Sequence, residues 1–301
     1  MPNTPAAAPR EPAAPSPISS FVAVGDSFTE GMSDLLPDGN YRGWADVLAA
    51  RLAARAAADR DADADADGGD FRYANLAVRG KLIGQIADGQ ADAAAGMGAD
   101  LVTLVGGLND TLRPKCDMGR VRGLLEEAVE KIAPSCGQLV LMRSPGRQGP
   151  VLERYRPRME ALFGFVDELA ERHGALVVDL YGSRSLADQR LWDDDRLHLT
   201  AEGHRRVAEA VWQRLGLPAE DDWDAPLPAP VPPSWAARRA ADARFARVHL
   251  LPWIGRRLTG RSSGDGRYGA QVDPATGTPF WITPADPYEP GPVTGWKRYE
   301  G

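Results

Sequence analysis

The sequence predicts an α/β domain, an open and doubly wound sheet of five parallel strands with helices on both faces, followed by an extension rich in proline, tryptophan and arginine. Three observations predict it. Short apolar runs alternate with helical patterns over roughly the first 215 residues, which is the signature of strand-helix-strand units. The runs are apolar at nearly every position rather than at every second one, which suits strands covered on both faces. Each run ends in small or turn-forming residues such as Gly-Asp-Ser or Gly-Gly-Leu-Asn, as strands do where they hand over to a loop.

In order, the expected strands are 21–24 (FVAV), 71–77 (FRYANLA), 101–106 (LVTLVG), 138–144 (QLVLMRS) and 175–181 (ALVVDLY). The expected helices are 41–57, 82–95, 118–133, 151–173 and 201–215, where apolar residues recur at helical spacing. Right-handed crossovers and five strands favour the flavodoxin-like order 2-1-3-4-5, whose ligands sit beyond the carboxyl ends of the strands. Residues 1–18, rich in Pro and Ala, read as a disordered tail of a cytoplasmic protein, since they lack the basic start and apolar middle of a secretory signal. An alternative start site hiding such a signal leaves export as the second reading. The domain itself spans 19–216, and 217–301 form a proline-rich linker and a partly ordered extension.

The bulk numbers set limits on partners. The 301 residues carry 35 Lys and Arg against 42 Asp and Glu, a formal charge of −7, so nothing draws the chain as a whole to nucleic acid. No apolar run of about 18 residues marks a membrane-spanning helix. The acidic repeat DRDADADADGGD (59–70) reads as a solvated loop, because alternating Asp-Ala lacks the spacing of a calcium loop. The two cysteines, Cys116 and Cys136, flank one long helix pattern and are too far apart to pair. Five of the eight tryptophans fall in 223–301, which argues that this tail packs on something. Within it, 234–267 holds eight arginines against two aspartates. That segment reads either as a helix docked on the protein's own acidic surface or as a weak contact for an anionic membrane surface.

The chemistry gathers at the strand ends. The first strand ends at Gly25-Asp26-Ser27, the second block ends at Gly80, the third at Asn109, and the last loop holds Asp193, Asp194, Asp195 and His198. A serine hydroxyl is a weak nucleophile and needs an adjacent base. His198 is the candidate base, and a carboxylate must hold its ring in one tautomer. Asp195, three residues earlier, is favoured, with Asp193 and Asp194 as substitutes. The oxyanion of a tetrahedral intermediate needs donors, and the backbone N–H groups of Ser27 and Gly80 and the side-chain amide of Asn109 are placed to supply them. Phe28, Leu108 and the 144–152 loop are expected to line the substrate pocket. Asp26 reads either as a residue that orients the loop and substrate or as a turn-capping carboxylate. Of the remaining histidines, His173 reads as a helix-end residue, His204 as an exposed or packing residue of the last helix, and His249 belongs to the tail.

Together these blocks resemble those of the SGNH hydrolases, the GDSL esterase and lipase family. GDSFTEG (25–31) resembles the first block, with Ser27. NLAVRG (75–80) resembles the second, with Gly80, and GGLND (106–110) the third, with Asn109. DRLHL (195–199) resembles the last, with Asp195 and His198. The resemblance covers roughly residues 20–215 and implies a three-layer flavodoxin-like fold, a Ser-His-Asp set, no metal or other cofactor, and hydrolysis of small-molecule acyl esters. Short acyl groups are expected, because no long apolar lid sequence follows Ser27. Carbohydrate O-deacetylation, thioester cleavage and acyl transfer would use the same machinery. A non-catalytic nucleotide-binding module is the reading from another class, but GDSFTEG has neither phosphate-loop nor dinucleotide-loop spacing.

Overall fold

A computed structural model describes residues 17–36, 41–62, 70–145, 153–229, 234–252, 264, 266–273 and 275–283. Five strands form one sheet: β1 (Ser20–Val24), β2 (Arg72–Asn75), β3 (Leu101–Leu104), β4 (Gln138–Arg143) and β5 (Leu176–Asp179). Their order is β2-β1-β3-β4-β5, and all four pairings are parallel. This is the flavodoxin-like order expected from the sequence. The strands after β1 are mostly shorter than their apolar runs, because the chain leaves the ladder to build the loops beyond it.

The helices are α1 (Ser27–Glu30), α2 (Trp44–Ala62), α3 (Ile83–Gln85), α4 (Ala91–Met97), α5 (Leu108–Thr111), α6 (Met118–Ile132), α7 (Arg156–His173), α8 (Ala201–Arg214) and α9 (Trp235–Phe245). Alternation along β1 divides the core. Phe21 and Ala23 join Trp44, Leu48, Val207 and Val211 under α2 and α8. Val22 and Val24 join Ile86, Leu125, Val129 and Leu162 under α4, α6 and α7. Two apolar layers on one sheet explain why its strands are apolar at every position. None of the described helices is long and apolar enough to cross a membrane.

Three expectations need correction. Helix α2 runs on to Ala62, so Asp59 and Asp61 of the acidic repeat are helical, and only 63–69 lie outside the described residues. Six of residues 53–62 are Ala, the strongest helix former, and they carry the helix into the acidic repeat. The helix expected at 82–95 is interrupted by a π-helical turn, Ile86–Gln90. The extra residue turns Gln90 inward, where it accepts from Gly25 N–H (2.8 Å) and donates to Gly25 O (3.0 Å). Such π-turns cost helix stability and recur where a site needs a residue re-aimed. The helix expected from 151 begins at Arg156.

Beyond α8, several of the described residues pack on the domain. Trp223 and Leu227 pack against the α2/α8 layer, and Val272 and Trp281 against the other. Tyr73 of β2 forms an antiparallel bridge with Ile282. Helix α9 sits beside the loop after β5: Arg196 pairs with Asp242 (2.6 Å), its guanidinium lies 4.6 Å from the Phe245 ring, and Arg244 pairs with Asp194 (3.2 Å). Two charged residues of the basic segment are therefore engaged with the protein's own surface. The residues 1–16, and Trp253 and Trp296 of the tail, lie outside the described residues. Both cysteines are free thiols, and burial pushes Cys136 up to about 11.

Candidate active site

The carboxyl end of β1 is shaped before any chemistry is added. A Cβ on Gly25 would sit 2.9 Å from the carbonyl oxygen of Val105, so no larger residue fits where the chain turns off the sheet. Asp26 is the N-cap of α1, its Oδ1 accepting from Phe28 N–H at 3.1 Å. Ser27 is the first residue of that helix, where the backbone N–H groups have no acceptor within the helix. The nucleophile candidate thus stands at the sheet edge, in the first turn of the helix.

Asp26 has a second task. Its Oδ2 accepts from Asn109 Nδ2 at 2.8 Å, and the same amide donates to the Lys81 carbonyl at 3.2 Å. Asn109 therefore ties the Ser27 turn to the loop after β2. Asp26 thus makes the contacts of both readings, capping the turn through Oδ1 and holding the loop through Oδ2. Both hydrogens of the Asn109 amide have partners in this state. Gly80 sits in the turn 78–81 with φ of 73°, a left-handed conformation that favours glycine. Glu30 anchors the same turn: its carboxylate accepts from Arg79 N–H (2.5 Å) and in fork fashion from the Arg79 guanidinium. Such forked pairs fix geometry as well as charge.

The last loop is a tight hairpin closed by the Trp192–Leu199 bridge and by Asp193 N–H donating to His198 O at 2.9 Å. Asp195 Oδ1 accepts from Leu197 N–H (2.8 Å) and His198 N–H (3.0 Å), while Oδ2 lies 2.5 Å from His198 Nδ1. Burial alone would raise the Asp195 pKa. The hydrogen bonds and charge of His198, with the two backbone donors, outweigh it and hold this carboxyl below its ordinary value. Asp194 instead points outward to Arg244, with 69% of its side chain exposed. Of the three aspartates, Asp195 is the one brought to His198.

One cleft joins these parts. Asp26, Ser27, Phe28, Leu108, Asn109 and His198 all line it, together with Met32, Trp192, Leu197 and Leu199. Phe28 and Leu108 both line this cleft, and Ser144 and Pro145 bring the start of the 144–152 loop to it; 146–152 lie outside the described residues. Gly80 is not among the lining residues. No hydrogen bond joins Ser27 to His198 among the described residues, although both face the same space. Catalytic hydrogen bonds are often long in enzymes without substrate.

His204, read from the sequence as an exposed or packing residue, is the packing one: it is 1% exposed, and it also lines the cleft, which the sequence did not indicate. Its Nδ1 accepts from Trp44 N–H (3.2 Å), and Nε2–H donates to Met32 O (3.2 Å). Burial pushes its pKa down to about 4, opposed by the Met32 hydrogen bond and helped by the charges of His198 and Arg42. The fold therefore demands a neutral ring. Stability from this group is complete above the ordinary imidazole value of about 6.5 and is lost as pH falls towards about 4. The loss at pH 5 relative to pH 8 is roughly 2 kcal/mol by linkage. Urea unfolding of wild type and His204→Gln at both pH values checks this. The wild type's advantage should shrink by about that amount at pH 5, and a constant difference would contradict it.

Comparison with known proteins agrees with this geometry. Residues 23–206 match the model of the GDSL-like lipase/acylhydrolase family. LAE5, an α/β hydrolase enzyme from the metagenome of Lake Arreo, Spain, is 25% identical with a TM-score of 0.53, over 66% of this chain and 95% of its own. A tryptophan-to-isoleucine variant of Axe2, an acetyl xylan esterase from Geobacillus stearothermophilus, shares the fold at 19% identity and a TM-score of 0.50, over 66% of this chain and 95% of its own. No curated protein sequence matches. With the match to its family model covering more than half of its length, the chain belongs to the GDSL-like lipase/acylhydrolase family and is a hydrolase acting on ester bonds.

Proposed function

We propose that the protein is a serine esterase that cleaves small-molecule carboxylic esters with short acyl groups through an acyl-enzyme. The observation that carries the reading is the 2.5 Å contact between His198 Nδ1 and Asp195 Oδ2, with Ser27 and His198 lining one cleft. In the first step Ser27 Oγ attacks the ester carbonyl carbon. Its proton passes to His198 Nε2, and the carbonyl π electrons move onto oxygen. Asp195 keeps the Nδ1 proton in place and stabilises the imidazolium. Collapse of the oxyanion expels the alcohol, which takes the proton from His198. Water then repeats the sequence on the acyl-enzyme, with His198 again as base, releasing the acid and restoring Ser27.

The oxyanion is assigned to the N–H groups of Ser27 and Gly80 and to Asn109 Nδ2. Asn109 serves this role by giving up its longer bond, 3.2 Å to Lys81 O, while keeping the 2.8 Å bond to Asp26 that aims it. Short acyl groups suit a cleft lined by buried His204 and by the bulky side chains of Trp192 and Leu108. Hydrolysis of p-nitrophenyl esters from acetate to palmitate tests this directly. The expected optimum is at acetate to butyrate and falls with length; an optimum at palmitate would contradict it.

The structural neighbours favour one refinement, removal of acetyl groups from carbohydrates. Axe2 is an acetyl xylan esterase, and its solved catalytic mutants fall at a serine, a histidine and an aspartate three positions before that histidine. Asp195 and His198 have the same interval. Release of acetate from peracetylated xylose, measured beside p-nitrophenyl acetate, tests the refinement.

A further inference from the structure

The C-terminal segment adds an antiparallel partner to the free edge of β2. Tyr73 N–H donates to Ile282 O at 2.8 Å, and Ile282 N–H returns a bond to Tyr73 O at 2.9 Å. Further along, Gln271 N–H donates to Asn75 O at 3.3 Å. Asn75 N–H is in turn capped by the side-chain Oε1 of Gln271 at 2.6 Å. Gln271 is fully buried, and its carbonyl accepts from Phe280 N–H at 2.9 Å, which binds the two limbs of the segment together.

Asn75 is the residue at which β2 becomes the loop leading to Gly80. Its Nδ2 donates to Thr29 O at 2.9 Å, inside the helix that carries Ser27, and its Oδ1 accepts from Ala77 N–H at 3.1 Å. Gln271 therefore acts, through Asn75, on both the nucleophile helix and the Gly80 loop. Two glycines of the extension press on the same loop. A Cβ on Gly269 would lie 2.7 Å from the backbone of Leu76, and one on Gly264 would lie 1.9 Å from the carbonyl oxygen of Arg79. That oxygen and the Gly80 N–H belong to one peptide unit. Peptide units are planar, so whatever fixes the Arg79 carbonyl also fixes the direction of the Gly80 N–H.

We propose that the C-terminal segment, through Gly264, Gly269 and Gln271, positions the Gly80 N–H of the oxyanion hole. The family's core supplies the donor, and this chain's own extension sets its aim from behind. The inference rests on the reading of Gly80 as an oxyanion donor. The three residues are positioning residues, since none is placed against the substrate.

The test uses the full-length chain with Gly264→Ala, Gln271→Ala and Ser27→Ala, assayed on a short-chain ester and its thionoester. Sulfur is a larger and poorer hydrogen-bond acceptor than oxygen, so an intact oxyanion hole prefers the oxygen ester. Gly264→Ala is expected to lower kcat by about 10²-fold, the loss typical of one displaced donor, with KM little changed and the oxygen-over-sulfur preference narrowed. Gln271→Ala is expected to act in the same direction by about tenfold, a fraction of a full donor's worth. A merely structural strut would lower the unfolding midpoint and leave that preference alone. Both variants folded, with wild-type kcat and preference, beside an inactive Ser27→Ala, would overturn the proposal. If Gly264→Ala does not fold, Gln271→Ala decides by the same two readouts. Equal ester turnover by wild type and Ser27→Ala would overturn the serine-esterase reading, and this proposal with it.

Discussion

Ser27→Ala is expected to lower ester turnover by about 10⁴-fold or more while leaving the fold unchanged, as removal of a nucleophile from an acyl-transfer site does. The structure separates the two effects. Ser27 is not the cap of α1, since Asp26 holds that position and accepts from Phe28 N–H. Alanine is a better helix former than serine, so the turn survives the change. The variant should keep the wild-type unfolding free energy, measured in urea, within about 0.5 kcal/mol, the usual range for a substitution that breaks no structural contact. A variant that folds as well as wild type and still hydrolyses esters at its rate would remove Ser27 from the mechanism.

Asp195→Asn carries the second large effect, expected at about 10³–10⁴-fold in kcat. Asparagine is nearly isosteric, and its Oδ1 can still accept from Leu197 and His198 N–H, which hold the loop at 2.8 and 3.0 Å. The group facing His198 Nδ1 becomes an amide NH₂. A donor there favours the tautomer with the proton on Nε2, the atom that must accept the serine proton. The loss is thus chemical rather than structural, and stopped assays at matched folded fraction measure it. Asp194→Asn, beside it, should be nearly neutral, because its partner Arg244 is 68% exposed and surface pairs contribute little. Similar losses in the two variants would contradict the assignment of Asp195.

The sequence made the sheet legible because a two-sided parallel sheet leaves a simple trace, apolar at every position and punctuated by small residues. The site was legible for a related reason. Ser27, Asn109, Asp195 and His198 each stand just past a strand or in the loop that follows one, where the topology collects them. What stayed hidden depends on contacts distant in sequence. Nothing local distinguishes Gln90 from a surface glutamine until it is seen 2.8 Å from Gly25 N. Glu30 gives no sign of its grip on Arg79, nor His204 of its burial under Met32 and Trp44. The extension leaves the faintest trace in the sequence, because its pairing with β2 is a single isolated bridge, Tyr73 with Ile282, rather than a run of alternating residues. Trp223 and Trp281 pack on the domain while Trp235 is 72% exposed, so tryptophan content alone does not tell which parts of the segment dock.

If Ser27 becomes covalently acylated, it can be captured by a reagent that forms a stable adduct with an activated serine. Wild-type protein would be treated with a fluorophosphonate, digested, and its peptides mapped by mass spectrometry, with a short-chain ester as competitor. One adduct is expected, on Ser27, suppressed by the ester and greatly slowed in His198→Ala. An enzyme that hydrolyses esters yet carries no adduct on Ser27, or carries it on another residue, would contradict it.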